Sequence, residues 1–168
     1  MGFARQVTQM FHEEHVASGG MLERFQALLH SRPEGPPAKG VDDPEFDRIL
    51  RDFEALVTGE LLTHFKFEED RLFPLLAEAG EGDMGVLLAE EHITALSVVE
   101  VLIALCRSAR SGDMSAEDWR DMRRRGLEFV VLMEGHIQKE DMGMLPALDN
   151  VIDETRDAEL TMEYSAMR

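Results

Sequence analysis

Two segments of the chain repeat apolar residues at helical spacing, and both repeats are interrupted in the same way. At alternating steps of three and four, the apolar or small positions are Leu50, Phe53, Val57, Leu61, Leu72 and Leu75 in the first, and Trp119, Met122, Gly126, Phe129, Met133 and Met144 in the second. Such spacing is typical of a helix that buries one stripe in a bundle. Each stripe also holds a histidine and a glutamate four residues apart, His64 with Glu68 and His136 with Glu140. Burying these two His/Glu pairs is unfavourable unless they bind something, so they are candidates for a functional site.

Loop-forming residues divide the chain into four long segments. Loops rich in glycine, proline or short polar residues are predicted at 31–40, 80–82 and 110–115. Asp43, Asp83 and Ser115 stand where helix N-caps are expected. The predicted helices are 3–30, 44–79, 84–109 and 115–146.

These segments predict an all-α fold. The short links favour an antiparallel four-helix bundle over about 3–147. Loosely amphipathic spacing of Leu148, Ile152 and Leu160 predicts a short helical tail at about 148–165. A length of 168 residues fits one domain, so we expect residues 1–168 to form a single domain.

The interrupted stripes point to a shared polar site. His15 and His92 interrupt the apolar stripes of the first and third predicted helices. The order of one histidine followed by His-x-x-x-Glu therefore occurs twice, which predicts two helical hairpins related by a pseudo-twofold axis. Residues four apart lie on one helix face, so each His-x-x-x-Glu pair directs two side chains into the same part of the core. Two carboxylates buried there need a cation between them, because an isolated buried charge is very unfavourable.

Four neutral imidazoles and two carboxylates can hold two metal ions. The six predicted ligands are His15, His64, Glu68, His92, His136 and Glu140. Cys106 is the only cysteine, so one chain has too few thiolates for a cysteine zinc site or an iron–sulfur cluster. Nitrogen and oxygen ligands without thiolate suit iron, with manganese and zinc as lesser alternatives.

This pattern resembles the hemerythrin-like HHE cation-binding family, which has a histidine on its first and third helices and His-x-x-x-Glu or His-x-x-x-Asp on its second and fourth. The resemblance covers residues 3–147 and favours iron. The implied ligands are His15 and His64 for one iron, His92 and His136 for the other, and Glu68 and Glu140 as bridges.

One position departs from the oxygen-carrying members of that family. They place a further histidine one turn after the third-helix ligand, where this chain has Leu96. An iron with fewer protein ligands keeps an open position for water, oxygen, nitric oxide or peroxide. Oxidation or turnover is then more expected than stable oxygen carriage, unless Glu69 or a neighbouring carboxylate replaces the missing ligand.

Three functions remain open at this stage. The first is a non-haem di-iron protein that binds dioxygen or a related diatomic molecule for storage, sensing or detoxification. The second is a di-iron enzyme that turns over peroxide, oxygen or nitric oxide. The third is an iron-responsive binding module without catalysis, whose state is read by an unidentified protein partner.

The charge of the chain excludes some partners. Thirty-four acidic and 17 basic residues give a formal net charge of -17. Such a surface repels nucleic acid and anionic membranes, so neither is an expected partner. The absence of an apolar signal core at the N-terminus and the single cysteine predict a cytoplasmic protein.

Other polar residues near the predicted ligands have supporting or surface roles. His12 lies off the apolar stripe and is expected at the surface. One residue of the pair Glu13 and Glu14, and one of Glu90 and Glu91, is a candidate to accept an N–H hydrogen bond from a ligand histidine.

Overall fold

The computed structural model describes residues 2–168, and the helices in this range form an all-α bundle, which confirms the predicted fold class. The helices are α1 (Gln6–Ser31), α2 (44–78), α3 (Gly82–Ser111), α4 (116–151) and α5 (Glu154–Met167). None of the helices within residues 2–168 combines the length and hydrophobicity needed to cross a bilayer.

The helix starts follow two of the three predicted caps. The side chain of Asp43 accepts from the Phe46 amide, and that of Ser115 accepts from the Asp118 amide, both at 3.0 Å. The predicted cap at Asp83 is wrong, because α3 already begins at Gly82. Asp83 instead lies in the first turn, where a negative charge favours the positive end of the helix dipole.

The boundary between α4 and the tail lies further along the chain than the sequence predicts. Helix α4 continues to Val151, and Ile152 then adopts an extended backbone with ψ 123°. The Asp153 side chain caps α5 by accepting from the Arg156 amide at 2.8 Å. Capping chemistry thus overrides the loose amphipathic pattern that placed the start of the tail helix near residue 148.

Two apolar clusters fill the bundle, one at each end. One cluster joins the second half of α1 to the first half of α2, around Phe25 and Phe53, whose rings stack at 3.9 Å between centroids. The other joins the first turns of α1 to the later part of α2 and to α5, and it includes Phe11 and Phe67. This pairing of opposite halves is that of antiparallel neighbours. The predicted ligands occupy the layer between the clusters.

Wide π-type turns interrupt α2 and α4 at the predicted ligands. One spans Glu68–Leu72 and the other Glu140–Met144, so each begins on a glutamate of the ligand set. Pro74 and Pro146 follow two residues after these turns. Proline cannot donate to the carbonyl four residues earlier, and a wider turn accommodates that loss. Turns of this kind are frequent at functional sites.

Carboxylates from the other end of the chain cap the start of α1. The amides of residues 4 and 5 donate to Asp149 of α4 at 3.0 and 2.8 Å. Those of residues 6 and 7 donate to Asp157 of α5 at 2.8 Å each. Because the first amides of a helix lack partners inside the helix, α5 completes the hydrogen bonding of α1.

Replacing Asp157 with alanine is expected to lower the free energy of unfolding by about 1–3 kcal/mol, since two charge-assisted hydrogen bonds to helix amides are lost. Urea unfolding followed by circular dichroism measures this. Asp52→Ala is the matched control, because Asp52 is exposed on α2. Equal stability of the two variants would contradict the capping role of Asp157.

Candidate metal centre

The structure brings all six predicted ligands into one buried layer. α1 contributes His15, α2 contributes His64 and Glu68, α3 contributes His92, and α4 contributes His136 and Glu140. Each of the six is at most 7% exposed, and both glutamates are 0% exposed. Their order along the four helices places one histidine, or one histidine and one glutamate, on each wall of the layer.

Four of these side chains form what we call the first ligand group: His15, His64, Glu68 and Glu140. The Nε2 atoms of His15 and His64 lie 3.2 Å apart. Glu68 Oε1 lies 3.1 Å from His64 Nε2, and Glu140 Oε2 lies 3.2 Å from His15 Nε2. One potential ligand atom from each of the four residues lies within 4.8 Å of the other three.

The second ligand group repeats this arrangement with His92, His136, Glu68 and Glu140. The two imidazole Nε2 atoms are again 3.2 Å apart. The remaining oxygens serve this group, with Glu68 Oε2 3.3 Å from His92 Nε2 and Glu140 Oε1 2.9 Å from His136 Nε2. Each glutamate therefore presents one oxygen to each group, and the two groups share both carboxylates.

The buried carboxylate oxygens lack ordinary partners. Among residues 2–168, no donor makes a well-aligned hydrogen bond to either oxygen of Glu68 or Glu140. The nearby Nε2 atoms lie within ion-pair distance but at unfavourable angles for donation. Separations of this size are expected for ligands that adjoin each other around an ion bound at about 2.0–2.2 Å. Unsatisfied buried carboxylates and facing imidazoles fit two cations.

The outer nitrogen of every histidine in the layer contacts a carboxylate. The Nδ1 partners are Asp141 for His15 at 2.7 Å, Glu14 for His64 at 2.9 Å, Glu69 for His92 at 2.8 Å, and Glu91 for His136 at 2.9 Å. Such a partner holds the proton on Nδ1 and leaves the Nε2 lone pair facing inward, as metal ligation requires.

A comparison with known families identifies the domain. The family model described as the hemerythrin HHE cation-binding domain matches residues 6–148. The chain belongs to the hemerythrin HHE family. This confirms the resemblance carried by the ligand pattern and assigns the chain a metal-binding helical domain. No curated protein sequence matches the chain significantly. The match ends within α4, so α5 lies outside the family region.

The supporting carboxylates of this HHE domain were predicted in part. Glu14 and Glu91 accept from ligand-layer histidines, as expected for one member of each glutamate pair. Each of them serves a histidine on a different helix from its own. The sequence analysis did not predict the role of Asp141, and it considered Glu69 only as a replacement metal ligand. Their signal was adjacency, since each directly follows a glutamate of the ligand set.

Neither Leu96 nor Glu69 supplies the ligand that the missing fifth histidine would provide. Leu96 is partly buried and packs against the apolar core. Glu69 contacts the outer Nδ1 of His92, and its side chain is 46% exposed, so it faces away from the ligand groups. His12 is half-buried rather than fully at the surface, because its Nδ1 lies 3.1 Å from Asp141 Oδ1.

Without metal, the buried carboxylates of the HHE domain raise the pKa values of His15 and His64. Burial would lower the pKa of His15, but the Asp141 and Glu140 carboxylates raise that pKa to about 9. Burial would likewise lower the pKa of His64, but the negative charge of Glu68 and other carboxylates raise it to about 10. Without metal, imidazolium protons therefore supply the positive charge that the buried carboxylates require.

Metal-free protein is expected to lose stability between about pH 6.5 and pH 10. A histidine whose pKa is higher in the folded state stabilises that state below its unfolded pKa, and the contribution disappears as pH rises through the folded pKa. Thermal unfolding in chelator at several pH values measures this. With a fixed metal concentration the trend reverses between pH 6 and 8, because protons compete with metal for Nε2. Metal-free stability that rises across pH 7–9.5 would contradict this prediction.

The two ligand groups differ in their surroundings. A cavity of about 30 Å³ adjoins the first group, which is more than one water molecule requires. Leu61, Met133 and Ile137 are among the apolar residues that line it. In the second group, the Phe65 ring stacks on His92 at 3.6 Å between centroids and covers that imidazole. The cavity contacts both histidines of the first group and only His136 of the second, so space for a small ligand lies mainly beside the first group.

Proposed function

We propose that this HHE domain is a non-haem di-iron protein that binds dioxygen or a related diatomic molecule. The observation that carries the proposal is the sharing of Glu68 and Glu140 between two histidine pairs, which matches two ions held side by side. Ligation by nitrogen and oxygen without thiolate, together with the family, favours iron over manganese or zinc. A single buried cysteine accords with a cytoplasmic location.

In this proposal the chain's own residues hold and orient the centre. His15 and His64 would hold one ion, His92 and His136 the other, and both glutamates would bridge. The outer carboxylates fix each imidazole in the metal-binding tautomer. Iron bound here would supply an open coordination position and a reversible change of oxidation state.

The cavity beside the first ligand group favours a small, uncharged ligand. Its volume of about 30 Å³ suits a diatomic molecule. The apolar side chains of Leu61, Met133 and Ile137 in its wall favour an uncharged ligand over a strongly hydrated ion. Two histidines for each ion, with Leu96 instead of a fifth, leave coordination positions that such a ligand can occupy.

The test combines metal analysis with optical spectroscopy. Protein purified from iron-replete cells is expected to contain two irons per chain, and anaerobic ferrous loading followed by air is expected to produce a visible absorption band. A featureless spectrum after oxygen and nitric oxide would contradict ligand binding. Steady consumption of peroxide or nitric oxide that disappears in Glu68→Gln would instead favour an enzyme. Release of a partner protein by chelation would favour an iron-responsive module.

A further inference from the structure

Helix α5, which lies outside the family region, places the aromatic residue Tyr164 beside the layer of predicted ligands. Tyr164 of α5 is 1% exposed. Its ring packs against Phe11 at 4.6 Å and Phe67 at 4.8 Å between centroids. A phenylalanine would fill the same apolar space, so this packing does not account for the hydroxyl group.

The hydroxyl group joins the hydrogen bonds behind the first ligand group. Tyr164 Oη donates to Glu14 Oε2 at 2.5 Å. Glu14 Oε2 also accepts from His64 Nδ1 at 2.9 Å. Arg168, which directly follows α5, places Nη1 3.1 Å from Glu14 Oε1. Both oxygens of Glu14 therefore have partners near the end of the chain, a hydrogen bond from Tyr164 at Oε2 and an ion pair with Arg168 at Oε1.

We propose that Tyr164 is a positioning residue for the first ligand group. Its hydroxyl fixes the Glu14 carboxylate, and that carboxylate fixes the ring plane and tautomer of His64. The proposal rests on the metal binding proposed above, and it makes metal affinity at His15 and His64 depend on a helix outside the family region.

The Glu14 side chain needs such restraint because space for an alternative conformation lies beside it. A cleft of about 400 Å³ opens beside it, lined also by Glu60, Thr63 and Arg168. Without the tyrosine hydroxyl, the carboxylate can turn into this cleft, where water replaces its partners. His64 would then lose the acceptor that holds its proton on Nδ1.

The pseudo-equivalent position in the second group is held differently. There Glu91 accepts from His136 Nδ1, and its other oxygen lies 2.7 Å from Lys139 Nζ. Lys139 belongs to α4 and is 42% exposed, so no residue of α5 takes part. Loss of the Tyr164 hydroxyl should consequently affect one ligand group and spare the other.

The experiment is an anaerobic titration of the full-length, metal-free chain with Co²⁺, followed by visible absorption. Wild-type protein is expected to bind two ions. In Tyr164→Phe, one of them is expected to bind about 10–100-fold more weakly, the usual range for losing an outer hydrogen-bond partner of a ligand. The absorption of the other ion should be unchanged.

Leu160→Val separates positioning from general stability. Leu160 is 0% exposed in the same apolar cluster, and its truncation leaves the tyrosine hydroxyl in place. This variant is expected to lower the melting temperature by a few degrees while both Co²⁺ affinities persist. Unchanged binding in Tyr164→Phe, or an equal loss in Leu160→Val, would overturn the proposal. Wild-type protein that binds no Co²⁺ would overturn the proposed function as well.

Discussion

Replacing Glu68 with glutamine is expected to remove both metal ions rather than one. Its two carboxylate oxygens lie in different ligand groups, 3.1 Å from His64 Nε2 and 3.3 Å from His92 Nε2. A neutral amide occupies the same volume but supplies neither the charge nor the second anionic oxygen. We expect at least a 100-fold loss of metal affinity at each position. Losing only the hydrogen-bond partner of a ligand already costs about 10–100-fold in affinity.

Metal content by mass spectrometry of the native protein, with a Co²⁺ titration, measures this loss. Glu134→Gln is the matched control, because Glu134 is exposed on α4 two residues before a predicted ligand. His92→Ala provides the contrast, since that side chain belongs to one group and should cost mainly one ion. One tightly bound ion remaining in Glu68→Gln would show that the carboxylate does not bridge.

Removing the metal is expected to lower the melting temperature by roughly 15–30 °C. An ion at 1,000 times its dissociation constant stabilises the folded state by about 4 kcal/mol, so two ions contribute about 8 kcal/mol. For a domain of this size, each kcal/mol shifts the melting temperature by about 2–4 °C. The physical source is the pair of fully buried glutamates, whose charges require compensation.

Differential scanning calorimetry of chelated and reloaded protein tests the shift. Mg²⁺ at the same concentration is the control cation, because it prefers oxygen ligands and retains its water. It should leave the melting temperature near that of the metal-free protein. Equal melting temperatures with and without Fe²⁺ or Co²⁺ would contradict the proposed site.

The proposed role of Tyr164 rests on a different kind of observation from the predictions for Glu68 and for metal removal. Glu68 was identified from its place in an apolar stripe, which a helix pattern reveals directly. Tyr164 lies on a tail helix with only loose amphipathic spacing, and its contact with Glu14 spans 150 positions of the chain. Nothing local in the sequence connects the two residues.

Much of the candidate site could be predicted because helix geometry is local. A period of 3.6 residues fixes which side of a helix each residue faces, so His64 and Glu68 had to share a face. Burial of two carboxylates then required a nearby cation, whatever the details of packing. The same argument applied to α4, and the structure brings its histidine and glutamate into the same layer.

Cross-helix contacts could not be predicted, because they depend on how far each helix slides and rotates against its neighbours. That register decides that Glu14 serves His64 rather than the adjacent His15. It also decides that Asp141 is shared with His12. A sequence pattern predicts which face of each helix is buried, but it does not predict how far neighbouring helices are shifted along their axes.

Residue spacing and the cost of buried charge were enough to predict the all-α class, the apolar stripes and the six candidate ligands. Three features became visible only in the folded chain: which oxygen faces which histidine, where the cavity lies, and the contact of α5 with the first ligand group through Tyr164. The reason is physical. The spacing of apolar residues is a local property of one helix, whereas distances between helices depend on how the whole chain packs.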